Sequence, residues 1–440
     1  MKLAVVVQRY GADISGGAEL HARYIAERLS RHVDVRVLTT CARDYVSWRN
    51  HWPAGEDRVN GVAVERFPVT HERDTANFGR RSTHVFSARH ALRDELRWLD
   101  AEGPTSPALV ERLRHSGDEF DYVLLFSARY YHAYHGARAV PGRAILVPTA
   151  ERESALGLSM FGPVFRGVRA IMYNSFEERA MIQAVSGNHD VPGVVVGVGS
   201  EIPQHVDPAR FRRAFGIDGR FAIYVGRIDV NKGCGELFDF FIRYAEKAAQ
   251  PVSLVLIGTP VLPIPQHPRI RHLGFVTDQD KFDAMAAADL LIVPSYYESL
   301  SMVALEAWAL GRPVVANAHC DVLLGQCMRS NAGLYYRNAA EFTATLEAIV
   351  GDRALAATLG RNGRAYYEQH YDWPVIERKY LTMFARLDAE TAAAAAQRGI
   401  APLPGWWERR RATLPAADDV LAALPGGPAF GGRQRQGEYA

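Results

Sequence analysis

Residues 290–315 read Leu-Leu-Ile-Val-Pro-Ser-Tyr-Tyr-Glu-Ser-Leu-Ser-Met-Val-Ala-Leu-Glu-Ala-Trp-Ala-Leu-Gly-Arg-Pro-Val-Val. Leu290–Val293 is a short apolar run closed by Pro294, the pattern of a buried strand. A polar loop carries Glu298, and helical spacing takes over near Leu300 and lasts to Leu310. Gly311 stops the helix, and Pro313–Ala316 is apolar again. Strand, loop, helix, strand is the repeating unit of an open, mostly parallel α/β sheet.

Working outward, the same unit recurs. Phe221–Val225 reads as a strand ending at Gly226-Arg227, Gly235–Ala248 as a helix, and Ser253–Ile257 as a strand ending at Gly258. Ile270–Leu273 is a further strand and Asp280–Ala287 a further helix. Near the start, Lys2–Val7 is a strand, Ser15-Gly16-Gly17 a glycine loop, Glu19–Ser30 a helix with Leu20, Tyr24, Ile25 and Leu29 on one face, and Val33–Leu38 a strand. Tyr122–Phe126, Ala144–Val147, Ala170–Tyr173 and Val194–Val198 continue the series. Glu201–Pro208, with two prolines, separates the halves. The expected organisation is two Rossmann-like doubly wound domains, residues 1–204 and 205–370, then an amphipathic helix within 371–391. Residues 392–440 turn Ala/Pro/Gly-rich and predict a weakly ordered tail, in which Trp406-Trp407 and Arg409–Arg411 are the one candidate membrane or partner contact.

Composition narrows the function classes. The chain has 440 residues, 48% hydrophobic and 23% charged, with a net charge of +2, which implies no nucleic-acid partner. The four cysteines are scattered without zinc spacing and read as reduced thiols. No apolar run reaches the ~18 residues of a membrane span, and the opening run breaks after Tyr10 rather than forming a signal peptide. The reading places the protein in the cytoplasm, with at most peripheral contact at the inner membrane face.

Two stretches carry chemistry. In 290–315, the loop and the helix start expose the backbone N–H groups of Ser299, Leu300, Ser301 and Met302, a partly positive end suited to phosphate. Glu298 and Glu306 are roughly 12 Å apart along a helix axis, comparable to a diphosphate flanked by a sugar and a ribose. Each carboxylate can accept from vicinal hydroxyls. The second stretch is Gly226-Arg227-Ile-Asp-Val-Asn-Lys232-Gly233. Arg227 ends a strand, where ligands bind in open α/β sheets, and Lys232 precedes the next helix. A fork donor and a point charge across one loop suit a diphosphate. The chain has only five lysines.

Gly-Arg-x-x-x-x-Lys-Gly, then Glu-x7-Glu, then Gly-x-Pro-Val-Val, in this order, resembles the retaining family-4 glycosyltransferases of the GT-B fold. The resemblance extends over most of the first 390 residues. It implies two Rossmann-like domains facing a central cleft, with a C-terminal helix, here from Tyr371-Asp-Trp373, crossing back to the N-domain. It implies that Arg227 and Lys232 neutralise the diphosphate and that Glu298 contacts the donor sugar, making these three the catalytic set. It further implies that Glu306 binds the ribose, that the Val276 backbone meets the base, and that Gly16 and Gly17 let the N-domain backbone approach phosphate or acceptor. The activity implied is transfer of a hexosyl group from a nucleotide diphosphate sugar to an acceptor hydroxyl with retention, in cell-surface polysaccharide or glycoconjugate synthesis. The donor is UDP-sugar first and GDP-sugar second. The acceptor is a saccharide or lipid-linked species, read by Asp44–Asp57 and His71–Arg89, and neither cofactor nor metal is needed.

One departure stands out. Many members of that family place a histidine after an N-domain strand, facing the donor sugar; here Glu151 takes that place, and His132 and His135 lie one strand earlier. Glu151 and His132 are therefore candidate N-domain contacts. The departure keeps two alternatives open: an epimerase or phosphorylase on the same scaffold, or a silent sugar-nucleotide-binding protein. A dinucleotide oxidoreductase is disfavoured, because the first loop is Gly-Gly-Ala-Glu rather than Gly-x-Gly-x-x-Gly.

Overall fold

The computed structural model describes residues 1–14, 16–116, 119–249, 251–390 and 413–430. Two compact units divide the chain: Met1–Val198 with Ile376–Pro425, and Gly199–Val375 with Gly426–Ala440.

The first unit is built on an eight-stranded sheet. Its strands are β1 (Lys2–Val7), β2 (Asp34–Thr40), β3 (Gly55–Val59), β4 (Val62–Phe67), β5 (Tyr122–Phe126), β6 (Ala144–Val147), β7 (Ala170–Tyr173) and β8 (Gly193–Val195). Their order is β3-β4-β2-β1-β5-β6-β7-β8, all parallel except β3. The central strands are continuous apolar runs because helices cover both faces; Leu3 to Val7 are fully buried. β3 and β4 escaped the sequence reading, which placed part of an acceptor loop there. They form an edge hairpin turned by Asn60-Gly61, both at positive φ (48° and 85°), as a two-residue turn requires. β3 is charged and exposed, so it lacks an apolar signal. The second expected loop, His71–Arg89, is largely a helix, Thr75–Ser87, whose first turn is capped by Asp74.

The second unit carries six parallel strands: β9 (Phe221–Val225), β10 (Ser253–Ile257), β11 (Ile270–His272), β12 (Leu290–Val293), β13 (Val314–Asn317) and β14 (Gly333–Tyr336). Their order is β11-β10-β9-β12-β13-β14. Apart from the edge hairpin β3/β4, chain order runs outward in both directions from one central pair in each sheet, β1/β5 and β9/β12. These are the switch points, outside whose carboxyl ends ligands bind in such sheets.

Helix Trp373–Asp388 enters the first unit at Ile376. Ile376, Tyr380, Met383, Phe384 and Leu387 are buried there. Tyr122 donates to Asp388 at 2.6 Å and stacks on Phe384.

The expectation of a weakly ordered 392–440 needs correction over part of its length. Residues 413–425 pack on the first unit: Leu414, Ala416 and Ala417 are buried, and Ala417–Ala422 is a short helix. The segment is poor in large apolar residues because small ones fit it closely against its neighbours, which composition does not reveal. Trp406, Trp407 and Arg409–Arg411 lie outside the described residues. Among those described, no helix is long and apolar enough to cross a membrane.

Candidate active site

In the second unit, the switch point brings the two sequence stretches together. β9 pairs directly with β12, so the loops leaving their carboxyl ends are neighbours although 66 residues separate Lys232 from Glu298. Gly233 makes the close approach possible. Its φ is 72°, and a Cβ there would overlap the Pro294 carbonyl oxygen. Lys232 Nζ then lies 2.8 Å from Glu298 Oε1.

Asp229, within the glycine-arginine stretch but assigned no role from sequence, organises this loop. One carboxylate oxygen accepts from the Lys232 backbone N–H at 2.8 Å and the other from Arg227 Nε. It is 7% exposed, so both bonds work in a low dielectric. Tyr224 donates to the Arg227 carbonyl at 2.7 Å and fixes the other side. Gly226, at φ 150°, runs so close to Gly258 that a Cβ on the latter would overlap the Gly226 carbonyl. Arg227 is exposed, and Lys232 and Glu298 are partly exposed.

The helix after β12 begins at Met302, two residues later than the sequence suggested. Ser301 caps it in a left-handed conformation (φ 70°) without a side-chain capping bond. The free first-turn N–H groups are therefore those from Met302 onward, while Ser299 and Leu300 belong to the preceding loop; Leu300 is buried. The Ser301 hydroxyl is buried and meets no partner among the described residues. A non-glycine residue held in this region is strained by order 1–3 kcal/mol, and such strain gathers at functional sites.

Glu306 sits one turn into the helix and is buried. Its Oε1 accepts from Lys281 Nζ at 3.1 Å, and its Oε2 has no partner among the described residues. Burial pushes the carboxyl up, and Lys281 opposes that. Val276 is half-buried after β11, in the loop where the Gly258 N–H donates to the Gly274 carbonyl at 2.9 Å.

The first unit's switch point is built differently. Gly16 caps helix Gly17–Leu29. A Cβ on Gly16 would overlap the Glu19 carboxylate, whereas one on Gly17 would meet nothing within 4 Å. Glu19, 5% exposed, receives Arg9 Nε and Nη2 at 2.8 and 2.6 Å. The protein's own carboxylate thus stands at the helix end where the sequence reading placed an incoming phosphate. Beyond β5, Arg129 bridges Glu102 (2.8 Å) and Glu153 (2.5 Å), and Arg73 also reaches Glu102 at 3.0 Å. Ser127 and Thr149, at the ends of neighbouring strands, are both left-handed (φ 64° and 49°) and hydrogen-bonded to each other at 3.2 Å.

Glu151 follows Thr149 and is half-buried. Buried Glu178 holds its loop, accepting the Ala150 N–H at 2.6 Å and the Asn174 N–H at 2.5 Å. Burial chiefly, helped by the Glu151 charge, pushes Glu178 up to about 8. His132 does not belong with Glu151. It is fully buried, its Nε2 donates to the Phe126 carbonyl at 2.8 Å, and burial lowers it to about 4. An apolar strand end beneath a helix start makes it a core histidine, whose Nδ1 has no hydrogen-bond partner among the described residues. His135 is half-buried against Tyr131, ring centroids 4.3 Å apart.

Residues 219–352 match the family model described as "Glycosyl transferases group 1". A D-inositol 3-phosphate glycosyltransferase of Acidothermus cellulolyticus is 26% identical over 417 residues, covering 88% of this chain and 89% of that one. The chain spans only 27% to 58% of the length of the first four curated relatives it matches. Sucrose-phosphate synthase from Thermosynechococcus elongatus superposes with TM-score 0.64 at 16% identity, over 89% of this chain and all of that one. Anabaena HepE in complex with UDP and glucose gives 0.62 at 19%, over 88% of this chain and all of that one. At these identities the likeness shows the fold, which is GT-B.

Proposed function

We propose that this chain is a glycosyltransferase that moves a hexosyl group from a nucleotide diphosphate sugar to an acceptor hydroxyl with retention. UDP-sugar is the first donor and GDP-sugar the second; the acceptor is a saccharide or lipid-linked species of cell-surface glycan synthesis, handled in the cytoplasm at or near the inner membrane face. The observation that carries the reading is the meeting of Lys232 and Glu298, 2.8 Å apart across the β9/β12 switch point. A cation that neutralises a diphosphate and a carboxylate that accepts from sugar hydroxyls are there in one place.

The chemistry follows from charge. As the bond from the sugar's anomeric carbon to the diphosphate oxygen stretches, negative charge collects on the leaving oxygen. Lys232, Arg227 and the first-turn N–H groups of helix Met302–Ala309 stabilise it. Retention fits an acceptor hydroxyl arriving on the face the diphosphate leaves, with a donor phosphate oxygen taking its proton. Glu306 Oε2 is a buried acceptor without a donor among the described residues, and a ribose hydroxyl would supply one. This assignment gives the charge-neutralising task to side chains and a helix end rather than to a divalent ion.

HepE, whose fold this chain shares, was solved in complex with UDP and glucose, which supports the order of donors. A panel of UDP-, GDP-, ADP- and dTDP-sugars, scored by the rise in melting temperature, tests the reading. A UDP-sugar should give the largest rise and release nucleotide faster when an acceptor is added. A panel in which no nucleotide sugar raises the melting temperature would sink it.

A further inference from the structure

We propose that the C-terminal segment 413–425 positions the loop 148–160 of the first unit, and with it the acceptor site. The inference rests on the glycosyltransferase reading, because it takes that loop, which carries Glu151, to contact acceptor or donor sugar.

Three contacts place the segment along the loop. At one end Arg152 Nη2 donates to the Pro425 carbonyl. In the middle, Ala417 lies directly over Gly157, where a Cβ would overlap the Ala417 carbonyl oxygen. At the other end the connection runs through buried groups. The Leu414 backbone exchanges hydrogen bonds with His90, N–H to carbonyl in both directions, at 2.6 and 3.2 Å. His90 Nε2 bonds Glu95 Oε1 at 2.9 Å. Glu95, with no exposed surface, accepts the Ser159 N–H at 3.0 Å and the Met160 N–H at 2.8 Å. A buried carboxylate that loses a partner is costly, so displacing Leu414 from His90 disturbs the far end of the loop through Glu95.

The near end of the loop has the opposite character. Thr149 is held left-handed, and the Ala150 N–H is tied to Glu178. Between these anchors stand Glu151, Arg152 and Glu153, whose geometry is shared between the sheet and the C-terminal segment. Glu153 in turn accepts from Arg129. Among the described residues, these contacts of the segment fall on this loop and on His90, none of them a candidate nucleotide contact, so its effect is expected on acceptor binding rather than on nucleotide affinity.

The full-length protein with Gly157→Ala tests this. Undocking is read from hydrogen exchange of residues 414–424. We expect the Ser159 and Met160 amides to lose protection at the same time, and the acceptor KM to rise tenfold or more, with donor-nucleotide affinity within twofold of wild type. A purely stabilising role would lower the melting temperature while leaving acceptor KM and kcat unchanged, and that result with the segment undocked overturns the proposal. If Gly157→Ala leaves the segment docked, Leu414→Asp is measured in the same way; a segment still docked in both variants overturns it too, because these contacts would then not hold it. A wild-type protein that transfers to no acceptor refutes the glycosyltransferase reading instead, and the exchange measurement still decides whether segment and loop are coupled.

Discussion

The two switch points handle charge in opposite ways. In the second unit, Arg227 is exposed and Lys232 and Glu298 are partly so; Lys232 pairs with Glu298, and buried Asp229 holds Arg227 and the Lys232 backbone. In the first, the strand-end ions are withdrawn into pairs: Arg9 with Glu19, and Arg73 and Arg129 with Glu102, which is 1% exposed. Aromatic rings of Trp48, Tyr45 and Phe78 cover Arg73. On the proposed function, a site that binds a highly charged diphosphate keeps its charges reachable. A site that reads neutral hydroxyls is served by polar groups already fixed in place, with little net charge to desolvate.

The comparison can be broken most sharply at Lys232. Lys232→Ala should lower kcat by about 10³-fold, roughly 4 kcal/mol of transition-state stabilisation, with unchanged circular dichroism, because the side chain is partly exposed. Near-wild-type transfer would remove the assignment of the β9/β12 loops.

The buried histidines of the first unit should make it acid-sensitive, against an opposite contribution from Glu178, which favours the folded state as pH falls. Burial lowers His132 to about 4 and His21 to about 3, so both are neutral when folded. Their unfolded pKa is near 6.5. Between these values the unfolded chain binds more protons, so the stability they contribute is complete above about pH 6.5 and is lost as pH falls toward 4. For His132 alone the loss is of order 3 kcal/mol. Denaturant midpoints from pH 7 to 4 would show it, and His132→Asn should flatten the slope.

Gly233→Ala tests whether loop contact assembles the donor half. Left-handed strain of about 1–2 kcal/mol adds to the overlap with Pro294, so the melting temperature and donor affinity should fall together. Unchanged donor affinity would show that the β9 loop need not touch the β12 loop. The smallest effect is expected from chelation: excess EDTA should leave kcat within about twofold, since Arg227 and Lys232 carry the task a metal would have. A complete loss restored by a divalent ion would overturn that part.

The meeting of Lys232 with Glu298, which we propose as the donor half, was legible because the two residues lie in short stretches whose loop and helix starts have local signatures. Even Asp229 stood inside the quoted motif. What the sequence hid was Lys281, which reaches Glu306 from another helix, and the left-handed Ser301 that delays the helix start. The first unit's partners are far apart in the chain: Glu102 with Arg129, Glu95 with Ser159, His90 with Leu414. No periodicity marks such pairs. The β3/β4 hairpin is a different kind of miss, since Asn60-Gly61 is a turn signal in plain view but the charged strand before it lacks the apolar alternation that usually accompanies it.

The packing of Ala417 over Gly157 has a consequence for the order of events during synthesis. The loop before residue 160 leaves the ribosome long before residues 414–425 are made, by about 13–50 s at roughly 5–20 residues per second. During that interval the loop lacks its cover, and Gly157 faces the solvent that Ala417 will later exclude. On the function proposed above, a nascent chain brings the β9 and β12 loops together before the segment that positions the 148–160 loop exists. Docking of residues 413–425 would then be a late step, which premature termination before them prevents.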